Sequence, residues 1–284
     1  MVTRLLLWCA MTLYVNASIQ AGEGPEPATS GKLSNASCID CHSKTDPSVV
    51  SDWEASAHSD STAGKVGPRA NCVDCHGNVH AGVAELARKD SRCITCHGGS
   101  DAPVNRSYFT SKHGIIFWLE KNDWDWSQPL SQANYRSPGC SYCHMHQGKH
   151  NVGKAIITQA SITEDKTRVI ESMQPVCQDC HSPRYISRLS ENGERMLEIG
   201  RMKWREATNV IDRVRTEIPE ADFQVIEQLS VTMKTHLTNL RLGIAHQSPD
   251  YQWWHGQPAL DGDLLRIKGE VSRLRRERLI RAGE

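Results

Sequence analysis

Five copies of one pentapeptide pattern, Cys-x-x-Cys-His, constrain this chain more than anything else in it. They are Cys38-Ile-Asp-Cys41-His42, Cys72-Val-Asp-Cys75-His76, Cys93-Ile-Thr-Cys96-His97, Cys140-Ser-Tyr-Cys143-His144 and Cys177-Gln-Asp-Cys180-His181. Two thiols three positions apart can each add to one vinyl group of a single haem, and the histidine after the second thiol is then held beneath the iron. CxxC pairs also build zinc sites, redox-active disulfides and structural disulfides. None of those requires a histidine after every second cysteine. The pattern therefore implies five covalently bound haem c groups, attached through these ten cysteines, with His42, His76, His97, His144 and His181 as proximal iron ligands.

Attached haem also resolves a problem of composition. Between Cys38 and Ala155 the leucines are Leu86, Leu119 and Leu130 alone. A stretch so poor in aliphatic side chains has little apolar surface to bury against its ordering entropy. Five porphyrins would supply the missing core, so this half is expected not to fold without haem. The first cysteines of successive motifs lie 34, 21, 47 and 37 residues apart, which excludes a solenoid of equal repeats. A globule of this length has a radius of gyration of about 18 Å, so five haems within it must be neighbours.

The eleventh cysteine, Cys9, lies in a different setting. Met1 to Arg4 is a short basic start, Leu5 to Val15 an apolar run, and Val15-Asn16-Ala17 a small-residue cleavage signal with Ala21 as second choice. The expected organisation is a signal peptide at 1–21, a Gly/Pro/Ser-rich leader at 22–37, a haem-binding region at 38–185 and a helical region at 186–284. Export to the periplasm fits, because bacterial c-type haem is attached outside the cytoplasm. Lys plus Arg and Asp plus Glu both total 33, so no basic surplus argues for nucleic acid.

From about Ile186 the apolar residues recur at helical spacing. Met196, Ile199, Lys203, Ala207, Val210, Val214 and Ile218 form one stripe, closed by Pro219. Phe223, Ile226, Leu229, Met233, Leu237, Leu240 and Ile244 form a second, on a helix expected to start near Glu220. A third pattern from Asp261 carries Leu264, Ile267, Val271 and Leu274 and reads either as a solvated surface helix or as a homo-oligomer contact. The fold class expected is mainly α: a multihaem cytochrome c with little regular structure around the haems, followed by long C-terminal helices.

What fills each iron's sixth position decides between electron carrier and enzyme. Thirteen histidines minus five proximal ones leave eight. The distal candidates are His58, His80, His113, His150 and His246. His146 competes with His150, and one of them is expected to be polar surface. His236 reads equally as a hydrogen-bonded core histidine, and His255 flanks an aromatic loop, Pro249 to Trp254.

Several stretches resemble the hydroxylamine oxidoreductase family of multihaem cytochromes, which is itself similar to cytochrome c nitrite reductase. They are Trp53 to His58, Ser111-Lys-His-Gly-Ile-Ile116 leading into Trp124-Asp-Trp126, Cys140 to His150, Cys177 to Arg184, the long helices, and His246 to Gly256. The resemblance implies a redox protein of nitrogen compounds, but family enzymes of the hydroxylamine-oxidising type carry eight haems. No CxxCK, the mark of the nitrite reductases, occurs here. A tyrosine near the C-terminus is cross-linked to a neighbouring subunit's haem in the oxidoreductases, and by position that would be Tyr251. Two functions follow as expectations. One is an electron carrier between a partner cytochrome or quinol-oxidising membrane protein and another redox protein. The other is an enzyme with one open haem acting on hydroxylamine, nitrite or a related small nitrogen compound, with His113 and Tyr251 in its pocket.

Overall fold

In the computed structural model, residues 32–59, 69–128, 136–152 and 175–283 are described. The expected signal peptide and most of the leader lie outside them. Those described belong to one compact unit that begins at Lys32. They are helical, with no strand among them.

Each haem motif sits on a short helix. The helices α1 (Asn35–Thr45), α3 (Cys72–His76), α5 (Asp90–Cys96) and α8 (Cys140–His144) carry the first four, and residues 175–178 make the helical turn that holds Cys177. Local chemistry explains their ends. Ser34 caps α1 by accepting the Ser37 N–H at 3.2 Å. Asn71 and Asp74 form a capping box on α3, with Asn71 N–H donating to Asp74 at 2.7 Å. Helix α1 therefore begins inside the stretch expected to be leader. Between the motif helices run α2 (Pro47–Glu54), α4 (Val83–Arg88), α6 (Pro103–Phe109) and α7 (Lys112–Glu120).

The Ser111 to Ile116 stretch has a clear structural logic. Ser111 caps α7 by accepting the Gly114 N–H at 3.1 Å. A side chain on Gly114 would strike the Tyr108 carbonyl at 2.2 Å, so only glycine lets α6 and α7 meet there. Phe117 and Trp124, packed edge to face at 5.1 Å, are the buried apolar side chains among the described residues of 32–152.

The C-terminal region is a packed bundle of α9 (Pro183–Glu217), α10 (Gln224–Ala245), a short α11 (Pro249–His255) and α12 (Gln257–Ala282). Helix α10 starts at Gln224 rather than near Glu220, because Asp222 accepts the Gln224 N–H at 2.9 Å and holds the turn after Pro219. The aromatic stretch expected as a loop is α11, capped by Ser248. The seam of α9 also differs from the expected stripe. Ile199 is exposed, and the buried face runs through Gly193, Leu197, Gly200, Ala207, Ile211 and Val214. The two glycines let α10 come close: a side chain at Gly193 would meet Ile244 at 2.7 Å, and one at Gly200 would meet Leu240 at 2.7 Å. Helix α12 is a full member of the bundle rather than a surface helix. Its Leu260, Leu264, Ile267, Val271 and Leu274 all belong to the buried core with Val214, Ile226, Met233 and Leu240. Each such aliphatic side chain contributes about 1.5–3 kcal/mol when fully buried.

Candidate haem-binding sites

In a helix, residues three and four apart share a face, so the helical motifs place both thiols of each pair and the following histidine on one side. Thiols of different motifs then meet in chain order. The Cys72 thiol hydrogen-bonds with that of Cys38. Cys75, pushed up to about 11 by burial, also feels Cys93 and Cys96. Cys93 and Cys140 share a thiol hydrogen bond. Cys143, pushed up to about 12 by burial, lies near Cys177 and Cys180.

The imidazoles pair across the chain. His58 faces the proximal His97 with ring centroids 6.1 Å apart, His150 faces His76 at 6.0 Å, and His113 faces His181 at 6.0 Å. An imidazole nitrogen sits roughly 2 Å from a bound transition metal, so two rings on opposite sides of one iron have centroids roughly 6 Å apart. The residues present therefore fit a six-coordinate haem iron at three of the motifs. At the fourth, His246 is the close neighbour of His144: burial foremost, and His144 next, push it down to about 4. Burial is also the main cause that lowers His58, His76, His113 and His144. Neutral rings keep a nitrogen lone pair free for a metal.

Outer partners aim these rings. Nδ1 of His76 is bonded to the Val83 carbonyl at 3.1 Å, Nδ1 of His150 to the Gly148 carbonyl at 2.8 Å, and Nδ1 of His246 to Ser107 Oγ at 2.7 Å. Each bond leaves Nε2 free as the atom that would hold an iron, which is how second-shell groups orient ligand histidines. His58 is held through its backbone, whose carbonyl accepts the Ala70 N–H at 3.0 Å, while Trp53 Nε1 donates to the Ala70 carbonyl at 2.9 Å.

The remaining candidates go elsewhere. His80 lies in an exposed turn and has no ring contact with another histidine among the described residues. His146 is bonded to Asp179 at 2.9 Å, which Tyr142 OH also reaches at 2.9 Å. His236 pairs with buried Asp263 at 2.5 Å inside the bundle. Tyr251 is buried against His255 at 4.7 Å, whereas His113 faces His181, so these two residues are set against different partners. Ser107 and the buried Asp90 carried no motif that sequence reasoning could use. Asp90 accepts the Cys140 N–H at 2.8 Å and is pushed up to about 6, chiefly by burial.

Paired thiols followed by a histidine on helical turns, with facing imidazoles, define a multihaem c-type cytochrome with covalently bound haem. The family model described as "Seven times multi-haem cytochrome CxxCH" matches residues 66–218, and the chain belongs to that family. It carries five of the motifs, four of them within the matched residues.

Among curated proteins, it is 24% identical to a probable nitrite reductase-hydroxylamine oxidoreductase fusion protein of Kuenenia stuttgartiensis, over 72% of this chain and 36% of the relative. It is also 24% identical to the C-type polyheme cytochrome OmcC of Geobacter sulfurreducens, over 52% of this chain and 20% of the relative. The chain thus spans 36% and 20% of the length of these two relatives.

Among solved structures, the Kuenenia stuttgartiensis reducing HAO-like protein complex Kustc0457/Kustc0458 aligns with a TM-score of 0.53 at 17% identity, covering 88% of this chain and 87% of that one. A structure titled "Hypothetical multiheme protein" aligns with a TM-score of 0.54 at 16% identity, covering 79% and 61%. The fold is thus that of the hydroxylamine oxidoreductase-like cytochromes.

Proposed function

We propose that this chain is an exported, periplasmic pentahaem cytochrome that carries electrons through closely packed haems. The observation that carries this reading is the set of facing imidazoles, His58 with His97, His150 with His76 and His113 with His181. Two histidines close an iron to substrate and favour electron transfer. Haem would supply the one-electron redox chemistry; the chain's own residues would hold it covalently and orient the rings through their outer hydrogen bonds. The meeting of thiols in motif order supports a path running from the first motif to the fifth. Its partners would be a redox cytochrome or a quinol-oxidising membrane protein, and exposed Leu265, Leu279 and Ile280 leave an outer face of α12 for a homo-oligomer contact.

Intact mass of protein purified from a periplasmic extract tests both the export and the count: five haems on a chain lacking its first residues is the expected result. Electron paramagnetic resonance then tests the ligation, with signals of bis-histidine low-spin iron expected at the second, third and fifth motifs. Loss of the low-spin signal of one haem in His58→Ala, and of another in His113→Ala, would follow; unchanged spectra in both would sink the pairing.

A second reading has one specific observation behind it. His42 is exposed on α1, with His76 as the imidazole that senses it and no ring contact with another histidine among the described residues. An open iron there would act on hydroxylamine, nitrite or a related compound. A spectral change on adding either ligand to the oxidised protein, absent from a His42→Ala variant, is the outcome that would favour it.

A further inference from the structure

The third and fourth motifs meet at a buried acid. Asp90 opens α5, three residues before Cys93, and is 4% exposed. One carboxylate oxygen, Oδ1, accepts the backbone N–H of Cys140, the first residue of the fourth motif, at 2.8 Å. The other, Oδ2, is fully buried and has no hydrogen-bond partner among the described residues. The contact is built to be close: a side chain at Gly139 would lie 2.8 Å from Asp90 Oδ1 and 2.9 Å from Phe117. Beside it, the thiols of Cys93 and Cys140 are neighbours. The carboxylate therefore lies at the point where the attachment sites of two haems converge.

A buried carboxylate with half its hydrogen-bonding capacity unused is costly as an anion and far less so as an acid. We propose that Asp90 is a proton-binding site coupled to the redox state of the third and fourth haems. When that pair accepts one electron from a one-electron redox partner, one ferric iron becomes ferrous and the Asp90 carboxylate takes one proton from solvent water to form the carboxylic acid. The charge at the junction is then unchanged. Reoxidation returns the electron to the next acceptor and the proton to water.

The surroundings leave Asp90 as the group that responds. Burial disfavours its ionised form most strongly; the hydrogen bonds from the Cys140 backbone and side chain, and then Lys121 just after α7, favour it. Tyr108 on α6 is pushed up well above neutral pH by its own burial. Cys93, Cys140 and Cys143 become thioethers on haem attachment and cease to titrate. At the end of α4, Arg88 is committed to the carbonyls of Trp126 and Ser127, and Lys89, which follows it, to Glu85. An electron arriving nearby raises the proton affinity further through a low-dielectric gap, and linkage requires the proton to stabilise the reduced state equally.

The inference rests on haem being attached at the third and fourth motifs, not on the choice between carrier and enzyme. Spectroelectrochemical titration of the holoprotein between about pH 5 and pH 9 tests it. The wild type is expected to show midpoint potentials that fall with rising pH, by up to about 59 mV per unit for one proton per electron. Asp90→Asn, which keeps an acceptor for the Cys140 N–H, is expected to lose that slope. A fully loaded Asp90→Asn protein with the wild-type slope overturns the proposal and leaves the haem reading standing, whereas a mass lacking the third or fourth haem in the wild type undoes the haem reading itself. Should Asp90→Asn fail to load haem, redox-difference infrared spectra of wild-type protein labelled with 13C-aspartate decide. An isotope-sensitive carboxylic acid band appearing on reduction supports the site, and its absence overturns it.

Discussion

The haem-bearing region and the C-terminal bundle are both helical, but they are held together by different means. In the bundle, Val214, Met233, Leu240, Leu260 and Ile267 are essentially fully buried and pack on one another. In the described residues of 32–152, Phe117 and Trp124 are the buried apolar side chains. Motif helices such as α3 and α8 are five residues long, too short to be stable alone. The lesson is that one region carries its own apolar core while the other has almost none among its described side chains. The two are joined where α6 packs on α10: Ser107 holds His246, and Thr110 is bonded to Ser248 at 2.9 Å.

The largest expected effect follows directly from that contrast. Replacing all ten motif cysteines by alanine should leave the haem region unfolded and the bundle intact. Limited proteolysis with mass spectrometry is then expected to destroy 38–152 and return a resistant fragment near 183–282; protection of both regions would break the comparison. Within the bundle, Met233→Ala should cost about 2–5 kcal/mol, as expected for a cavity in a packed core, while the haem spectra stay unchanged. That would appear as a lower melting temperature by far-ultraviolet dichroism. Gly200→Val should cost roughly 1–3 kcal/mol through overpacking against Leu240 and Leu237, measured the same way. The smallest effect is expected at the solvated Arg275–Glu217 pair. Arg275→Ala should leave the melting temperature within the scatter of replicate scans, because exposed ion pairs contribute little.

Much of the helical bundle was legible from periodicity. Leu264, Ile267, Val271 and Leu274 were read as one side of a helix, and they are. Their destination was not legible, since a stripe of that kind suits a dimer contact as well as a third bundle helix. The seam of α9 was less legible. Its Gly193 and Gly200 carry no hydrophobic signal, and their role as close-approach points appears only once Ile244 and Leu240 lie against them. Among the histidines, His150 rather than His146 reaches a proximal ring because Asp179, in the fifth motif, captures His146. No spacing rule in the chain contains that choice.

The division has a physical cause. Haem attachment is a local event, in which a thiol, a second thiol three positions on and the adjoining histidine act on one cofactor. Sequence alone therefore determined the haem motifs, and with them the five histidines expected as proximal ligands. The facing imidazoles are long-range, from His58 with His97 to His113 with His181, and the neighbourhood of His144 includes a residue as distant as His246. Asp90 likewise became a candidate only when the Cys140 backbone and the Gly139 gap were placed beside it. Those juxtapositions depend on how helices pack, and only the tertiary structure decided them.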